Sequence, residues 1–183
     1  MDAQPVSAAI IAKARPIRLL VCDVDGVFTD GRLQFYADGD AIIEGKSFSI
    51  LDGFGVKLLQ ETGVVVALIT GRRSPVVAHR AREMGVRHCA EGVDDKKAAW
   101  SALLAALSVQ AEHSAYVGDD WPDLPVIRAC GLGITVPNAP EPMRRHADHV
   151  TRAAGGAGAV REVCELFMTA QGTLEGRLEA WLQ

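Results

Sequence analysis

The chain has 183 residues, 49% of them hydrophobic, which suits one well-buried core and leaves too little length for two full domains. Lys plus Arg number 19 against 23 Asp plus Glu, a net charge of −4, and no basic stripe offers a footing for nucleic acid. The four cysteines (Cys22, Cys89, Cys130, Cys164) contain no C-x-x-C pair and lie in or near apolar runs, so they read as buried reduced thiols of a cytoplasmic protein.

Residues 1–16 hold an apolar patch, Ala8–Ala12, too short to span a membrane and lacking the longer apolar core of a signal peptide. They are expected to form a loose tail with at most a partial helix, leaving 17–183 as a single domain. Ile17–Cys22 reads as a buried parallel strand ending in Asp23-Val24-Asp25-Gly26. Arg32–Tyr36 and Ala41–Phe48 flank Ala37-Asp38-Gly39-Asp40 and predict a β-hairpin at about 31–48. Gly53–Thr62 predicts a helix capped by Asp52. Val64–Ile69 is a second buried strand, followed by Thr70-Gly71-Arg72. Ser74–Met84 predicts a helix with Ser74 as cap and Pro75 at its first position. Further on come a strand at Val86–Ala90, a helix at Asp95–Leu107, a strand at Ser114–Val117, a helix at Leu124–Ala129 and strands at Leu132–Val136 and His149–Thr151. A Gly-rich turn, Gly155–Gly158, leads into a helix from about Ala159. Strands alternating with helices predict an α/β fold, a doubly wound parallel sheet with the hairpin as an insertion.

In such sheets ligands bind beyond the carboxyl ends of the strands. Asp23/Asp25, Thr70/Arg72 and Asp119/Asp120/Asp123 each follow an apolar run and converge on that edge. An acidic turn after one strand is commonplace; three polar clusters on one edge point to a site. Gathered carboxylates repel, so a cation is expected, and oxygen-only ligation without His or Cys favours Mg2+. A carboxylate can attack phosphorus, and a second carboxyl two residues on can protonate the leaving alkoxide and then deprotonate water. The hydroxyl of Thr70, backbone N–H groups and the ammonium of Lys96 or Lys97 could hold the phosphoryl oxygens.

This order of motifs resembles the haloacid dehalogenase superfamily of phosphatases. Asp23-Val24-Asp25-Gly26-Val27 matches the first motif, Thr70-Gly71-Arg72 the second, Lys96 the third and Gly118-Asp119-Asp120-x-x-Asp123 the fourth. Residues 17–172 resemble in particular a capless branch acting on acidic keto-sugar phosphates, through DVDGVFTDG (23–31), FSILDGFGV (48–56), ITGR (69–72), YVGDD (116–120) and GGAGAVREVC (155–164). The resemblance implies Asp23 as nucleophile and metal ligand, and Asp25 as general acid/base and backbone-carbonyl ligand. It implies Thr70 and Lys96 as phosphoryl-holding groups, Asp119 as a metal ligand, and Asp120 and Asp123 as second-shell or water-mediated support. Substrate contacts map to Asp25, Ser49, Asp52, Gly53, Lys57, Gly71, Arg72, Arg80 and Lys96. It further implies a cytoplasmic role in lipopolysaccharide synthesis. Leu51 stands where the family can carry Arg, and Ala157 where a basic residue can occur.

The rivals are a phosphatase for a longer acidic sugar and a receiver-type signalling domain. In the signalling domain the acidic pair and the phospho-acceptor follow different strands, whereas Asp23 and Asp25 share one. There is no room for a cap domain between Asp25 and Thr70 or between Thr70 and Lys96. Leu33, Phe35, Tyr36, Ile42 and Ile43 on the hairpin need a covering partner, for which copies of the same chain are the simplest source. The resemblance implies a homotetramer in which a neighbouring subunit completes the site.

Overall fold

The computed structural model describes residues 6–182. The first element is a helix, α1 (Ala8–Ala14), capped by the Ser7 side chain, which accepts from the Ile10 amide at 3.3 Å. Ala14 is fully buried and Ile10 and Ile11 pack on the core, so residues 8–14 are a docked helix rather than a loose tail.

The chain continues through β1 (Leu19–Cys22), the hairpin β2 (Gln34–Asp38) and β3 (Ala41–Gly45), α2 (Ile50–Gln60), β4 (Val65–Thr70), α3 (Pro75–Glu83), β5 (His88–Glu91) and α4 (Lys96–Leu107). It goes on through β6 (Ser114–Val117), α5 (Leu124–Ile127), β7 (Leu132–Thr135), α6 (Glu141–His146), β8 (His149–Val150), α7 (Ala159–Ala170) and α8 (Leu174–Glu179). Six strands form one parallel sheet in the order β5-β4-β1-β6-β7-β8. Counting the sheet strands alone, that is the doubly wound order 3-2-1-4-5-6. A receiver-type domain has the order 2-1-3-4-5, so the topology removes the signalling rival. Among the described residues, only the hairpin and α2 lie between β1 and β4, and only α3 and β5 between β4 and α4; no cap domain is inserted.

Strand side chains alternate between two cores. Leu20, Cys22, Val66 and Leu68 pack with α2, α3 and α7, while Leu19, Val21, Ala67 and Ile69 pack with Trp100 of α4 and Ile127 of α5. Burial on both faces explains why these strands read as unbroken apolar runs.

One helix begins earlier than its sequence suggests. α2 starts at Ile50, taking Gly53 and Gly55 into its interior, where each costs about 1 kcal/mol of helix propensity. The reason is close approach. A Cβ at Gly55 would come within 2.8 Å of Arg161 Cδ and 3.1 Å of its Cα, so α2 lies against α7 only because that atom is missing. Asp52 therefore does not cap its own helix. Its Oδ1 accepts from the Arg161 amide at 2.8 Å and so caps α7, across 109 residues of sequence. Ser74 does occupy the N-cap position of α3 with Pro75 next, but its hydroxyl makes no capping bond.

Candidate active site

β1 lies between β4 and β6, so the residues that follow these strands meet. Asp23 directly follows β1, Thr70 ends β4, and Asp119 lies just beyond β6. The Asp23 amide donates to the Val117 carbonyl at 2.9 Å, extending the pairing one residue past the strand and fixing where the carboxylate emerges. The chain then turns sharply. The Phe28 amide donates to the Val24 carbonyl at 2.9 Å, and the Thr29 hydroxyl accepts from the amides of Gly26 and Gly31, each at 3.2 Å. Gly26 has φ +88°, a conformation that suits a residue without a side chain. The Gly-rich turn supports this loop from behind. The Gly156 amide donates to the Val27 carbonyl at 3.0 Å, and a Cβ at Gly155 would overlap the Gly26 carbonyl.

A cleft of about 430 Å³ opens at these strand ends, and Asp23, Asp25, Thr70, Gly71, Arg72, Lys96, Asp119, Asp120 and Asp123 all line it. Lys96, at the first position of α4 and 7% exposed, brings its Nζ to 2.9 Å from Asp23 Oδ1 and 2.7 Å from Asp123 Oδ1. Asp123 is the hub of the arrangement. Its Oδ1 also accepts from the Tyr116 hydroxyl at 2.7 Å, and its Oδ2 from the amides of Asp119 at 3.2 Å and Asp120 at 3.3 Å. The exposed Asp120 uses its own carboxylate to cap the short turn Trp121–Asp123. The Thr70 hydroxyl accepts from the Arg72 amide at 3.3 Å, which leaves its proton free to be donated into the cleft.

The electrostatics call for a cation. Burial, and then the charge of Asp123, raises Asp23 from 3.8 to about 6, against the opposing pull of Lys96. Burial, and then Asp23 and Asp123, raises Asp119 to about 8. Burial works to lower Lys96, yet the charges of Asp23 and Asp123 outweigh it and hold the ammonium above its ordinary value. One lysine does not neutralise three carboxylates. Oxygens of Asp23, Asp119 and Asp123 lie within 4.8 Å of one another, an all-oxygen set that fits a hard divalent ion. Both oxygens of Asp123 already accept hydrogen bonds, so Asp23 and Asp119 are the carboxylates of this set with the most capacity to hold such an ion.

The hairpin adds groups that the sequence did not flag. Lys46, directly after β3, has a side chain only 1% exposed and pairs with Asp25 Oδ1. Its Nζ also lies 3.2 Å from Glu44 Oε1, while Glu44 Oε2 accepts from Arg72 Nη2 at 2.6 Å. The only trace in the sequence was two charges spaced two apart, hence on one face of an otherwise apolar strand. Tyr116 stood inside the quoted YVGDD string but had no role of its own, since a tyrosine in a buried strand reads as core.

The remaining expected substrate contacts do not line the cleft of their own chain. Arg80 donates to the Ser49 carbonyl at 3.1 Å and packs so closely on Gly53 that a Cβ there would overlap its guanidinium. Ser49, Gly53 and Arg80 thus form a separate cluster at the start of α2, with exposed Lys57 a turn further on. Asp52 is fully buried, and its Oδ1 caps α7, so on its own chain it serves the packing of α2 on α7 rather than lining the cleft.

A parallel sheet in this order, with Asp-x-Asp after its first strand, a threonine, a lysine and an acidic turn around one cleft, defines a haloacid dehalogenase-like hydrolase, and the profile of that family matches residues 89–162. The chain is 44% identical over 171 residues to the 3-deoxy-D-manno-octulosonate 8-phosphate phosphatase KdsC of Escherichia coli K12, covering 93% of this chain and 89% of that protein. It superposes with TM-score 0.92 and 42% identity on the crystal structure of the Moraxella catarrhalis phosphatase of the same name, in complex with magnesium, phosphate and KDO. That match covers 97% of this chain and all of the other. The cobalt-bound phosphatase of Haemophilus influenzae matches with TM-score 0.86 and 37% identity, over 93% of this chain and 99% of the other. The chain belongs to the KdsC family of haloacid dehalogenase-like phosphatases.

Proposed function

We propose that the chain is a magnesium-dependent phosphatase that hydrolyses 3-deoxy-D-manno-octulosonate 8-phosphate to the free sugar acid and inorganic phosphate, in the cytoplasm, as a step of lipopolysaccharide synthesis. The observation that carries this is Lys96 at 2.9 Å from the buried Asp23 carboxylate, beside Asp119, in a cleft open to a phosphomonoester. Magnesium held by Asp23, the Asp25 carbonyl and Asp119 would supply the charge that offsets these carboxylates and the phosphoryl oxygens.

Asp23 attacks phosphorus through a carboxylate oxygen, and the P–O bond to the sugar breaks. The leaving alkoxide takes a proton from the Asp25 carboxyl, giving the free sugar and an aspartyl-phosphate. The Asp25 carboxylate then accepts a proton from water, whose oxygen attacks phosphorus and breaks the bond to Asp23. Inorganic phosphate leaves and both side chains return to their starting states. Thr70 and Lys96 hold the equatorial oxygens throughout. Asp123 orients Lys96, and Gly71 and Arg72 border the space for the sugar.

Ser49, Gly53, Lys57 and Arg80 lie off the cleft of their own chain, where they are available to the cleft of a neighbouring copy. The hairpin bears Leu33, Phe35, Tyr36, Ile42 and Ile43 at 49–70% exposure, an apolar surface suited to association. We therefore assign a homotetramer whose neighbouring subunit completes the site. Among the described residues, no helix is long and apolar enough to cross a membrane. Phosphate release should be measured across a panel holding 3-deoxy-D-manno-octulosonate 8-phosphate, an acylneuraminate 9-phosphate and glucose 6-phosphate. The first is expected to give the highest kcat/KM. Preference for the nonulosonate would reassign the substrate, and absence of phosphate release from all three would overturn the enzyme reading.

A further inference from the structure

Lys46 is a buried ammonium that belongs to the hairpin and not to the sheet. Burying such a charge costs several kcal/mol unless it is paired. Its partners are Asp25 Oδ1 and Glu44, with Arg72 behind Glu44. The other oxygen of Asp25, Oδ2, is buried and has no hydrogen-bond partner among the described residues. The two oxygens of this one carboxyl are therefore inequivalent: one is held, one is free.

We propose that Lys46 is a positioning residue for the reaction: by holding Asp25 Oδ1 it sets the rotation of the carboxyl, so that Oδ2 is the oxygen that passes the proton. This rests on the reading of Asp25 as acid and base. In the first half-reaction the proton on Oδ2 goes to the ester oxygen as the P–O bond breaks and the Asp23–phosphorus bond forms. In the second half-reaction Oδ2 takes a proton from the attacking water. Lys46 gives up no proton in either. Glu44 offsets its charge, and Arg72 anchors Glu44, so the base of the hairpin acts as a bracket against the cleft. A lysine that merely secured the hairpin would matter equally for every substrate. A lysine that aims the acid matters most where the leaving group needs a proton.

The test is kcat/KM on two substrates, since that ratio reports the steps through formation of the phosphoenzyme. The sugar phosphate leaves as an alkoxide and requires protonation; p-nitrophenyl phosphate leaves as a stabilised phenolate and does not. Lys46→Met is expected to lower kcat/KM on the sugar phosphate by about 10²-fold, the low end of a general-acid contribution, and on p-nitrophenyl phosphate by no more than about threefold. Lys46→Arg, which can still donate to Oδ1, is expected to recover at least a tenth of the lost activity. Equal losses on both substrates, no loss on either, or an Arg variant no better than Met would overturn the proposal. Should the Met variant fail to fold, Lys46→Gln carries the same comparison between substrates. Asp25→Asn, run alongside, separates the two readings. If it too lacks the leaving-group dependence, the assignment of Asp25 fails and the proposal with it. If it shows the dependence and the Lys46 variants do not, the proposal alone fails.

Discussion

Gly26 and Asp119 are in contact across the end of the sheet: a Cβ on Gly26 would overlap Asp119 Oδ2 and come within 3.0 Å of Oδ1. The φ of +88° at Gly26 makes the same demand from the backbone side. Gly26→Ala is expected to displace the Asp119 carboxylate, weakening magnesium binding by at least tenfold and lowering kcat by more than about tenfold. Calorimetric titration of magnesium into the variant checks this; an unchanged affinity would count against Asp119 as a ligand.

Asp23→Asn keeps the shape of the side chain and removes the nucleophile. Turnover should fall by about 10⁴-fold or more. The substitution also removes a charge that repels Asp119 and Asp123, so in EDTA the variant should melt no lower than the parent chain. Phosphate release at the parental rate would sink the mechanism.

In the absence of metal, stability should fall as pH rises. Asp23 at about 6 and Asp119 at about 8 both lie above their ordinary value of 3.8, so between about pH 4 and 8 the folded chain retains protons that the unfolded chain has lost. Their stabilising contribution is therefore full below pH 4 and lost as pH climbs through 6 and then 8. His149, lowered mainly by burial, adds a gain of opposite sign near its ordinary 6.5. Comparing the parent chain with Asp119→Asn isolates the carboxylate: the variant should show the flatter melting profile in EDTA. Added magnesium should raise the parent's Tm more at pH 8 than at pH 5. A parent profile no steeper than that of the variant would refute the coupling.

Asp52→Ala should cost stability rather than catalysis. It leaves the part-buried Arg161 amide without its acceptor and removes the cap of α7, a loss of about 1–3 kcal/mol. Urea unfolding should show that loss, with KM for the sugar phosphate within about twofold of the parent. A large rise in KM at unchanged stability would restore Asp52 to the substrate site.

Ile42→Asp places a charge on the most exposed of the hairpin's apolar side chains, at 70% exposure. If the proposed assembly holds, sedimentation should show dissociation, and kcat/KM should fall with it. A parent chain that is a fully active monomer at working concentration would refute the assembly.

The strands were legible because a sheet covered on both faces leaves only apolar runs, and Ser114–Val117 stands where its sequence placed it. The residues at the strand ends were legible for the same reason: Asp23, Thr70 and Asp119 interrupt those runs, and the parallel order gathers them at one edge. What escaped depends on contacts between distant segments. The early start of α2 rests on Gly55 meeting Arg161, which no local propensity records. α6 and α8, 6 residues each, are too short to show a periodic stripe, and α6 sits in a Pro-rich stretch that reads as loop. Lys46 was invisible because a lysine beside a glutamate on a strand is ordinarily solvated. Only the fold of the hairpin over the cleft makes it a buried partner of Asp25.

The turn at Gly155 and Gly156 presses on the loop that begins at Asp23, so the two ends of the domain are made for each other. A ribosome completes both aspartates early, yet the loop that presents them lacks its support until the turn has emerged, and α7 must follow to give the turn its footing. The nascent chain is thus a phosphatase with its parts unassembled for most of its synthesis. A fragment ending before Gly155 would carry all the acidic motifs and Lys96 while lacking the piece that holds the first motif in shape.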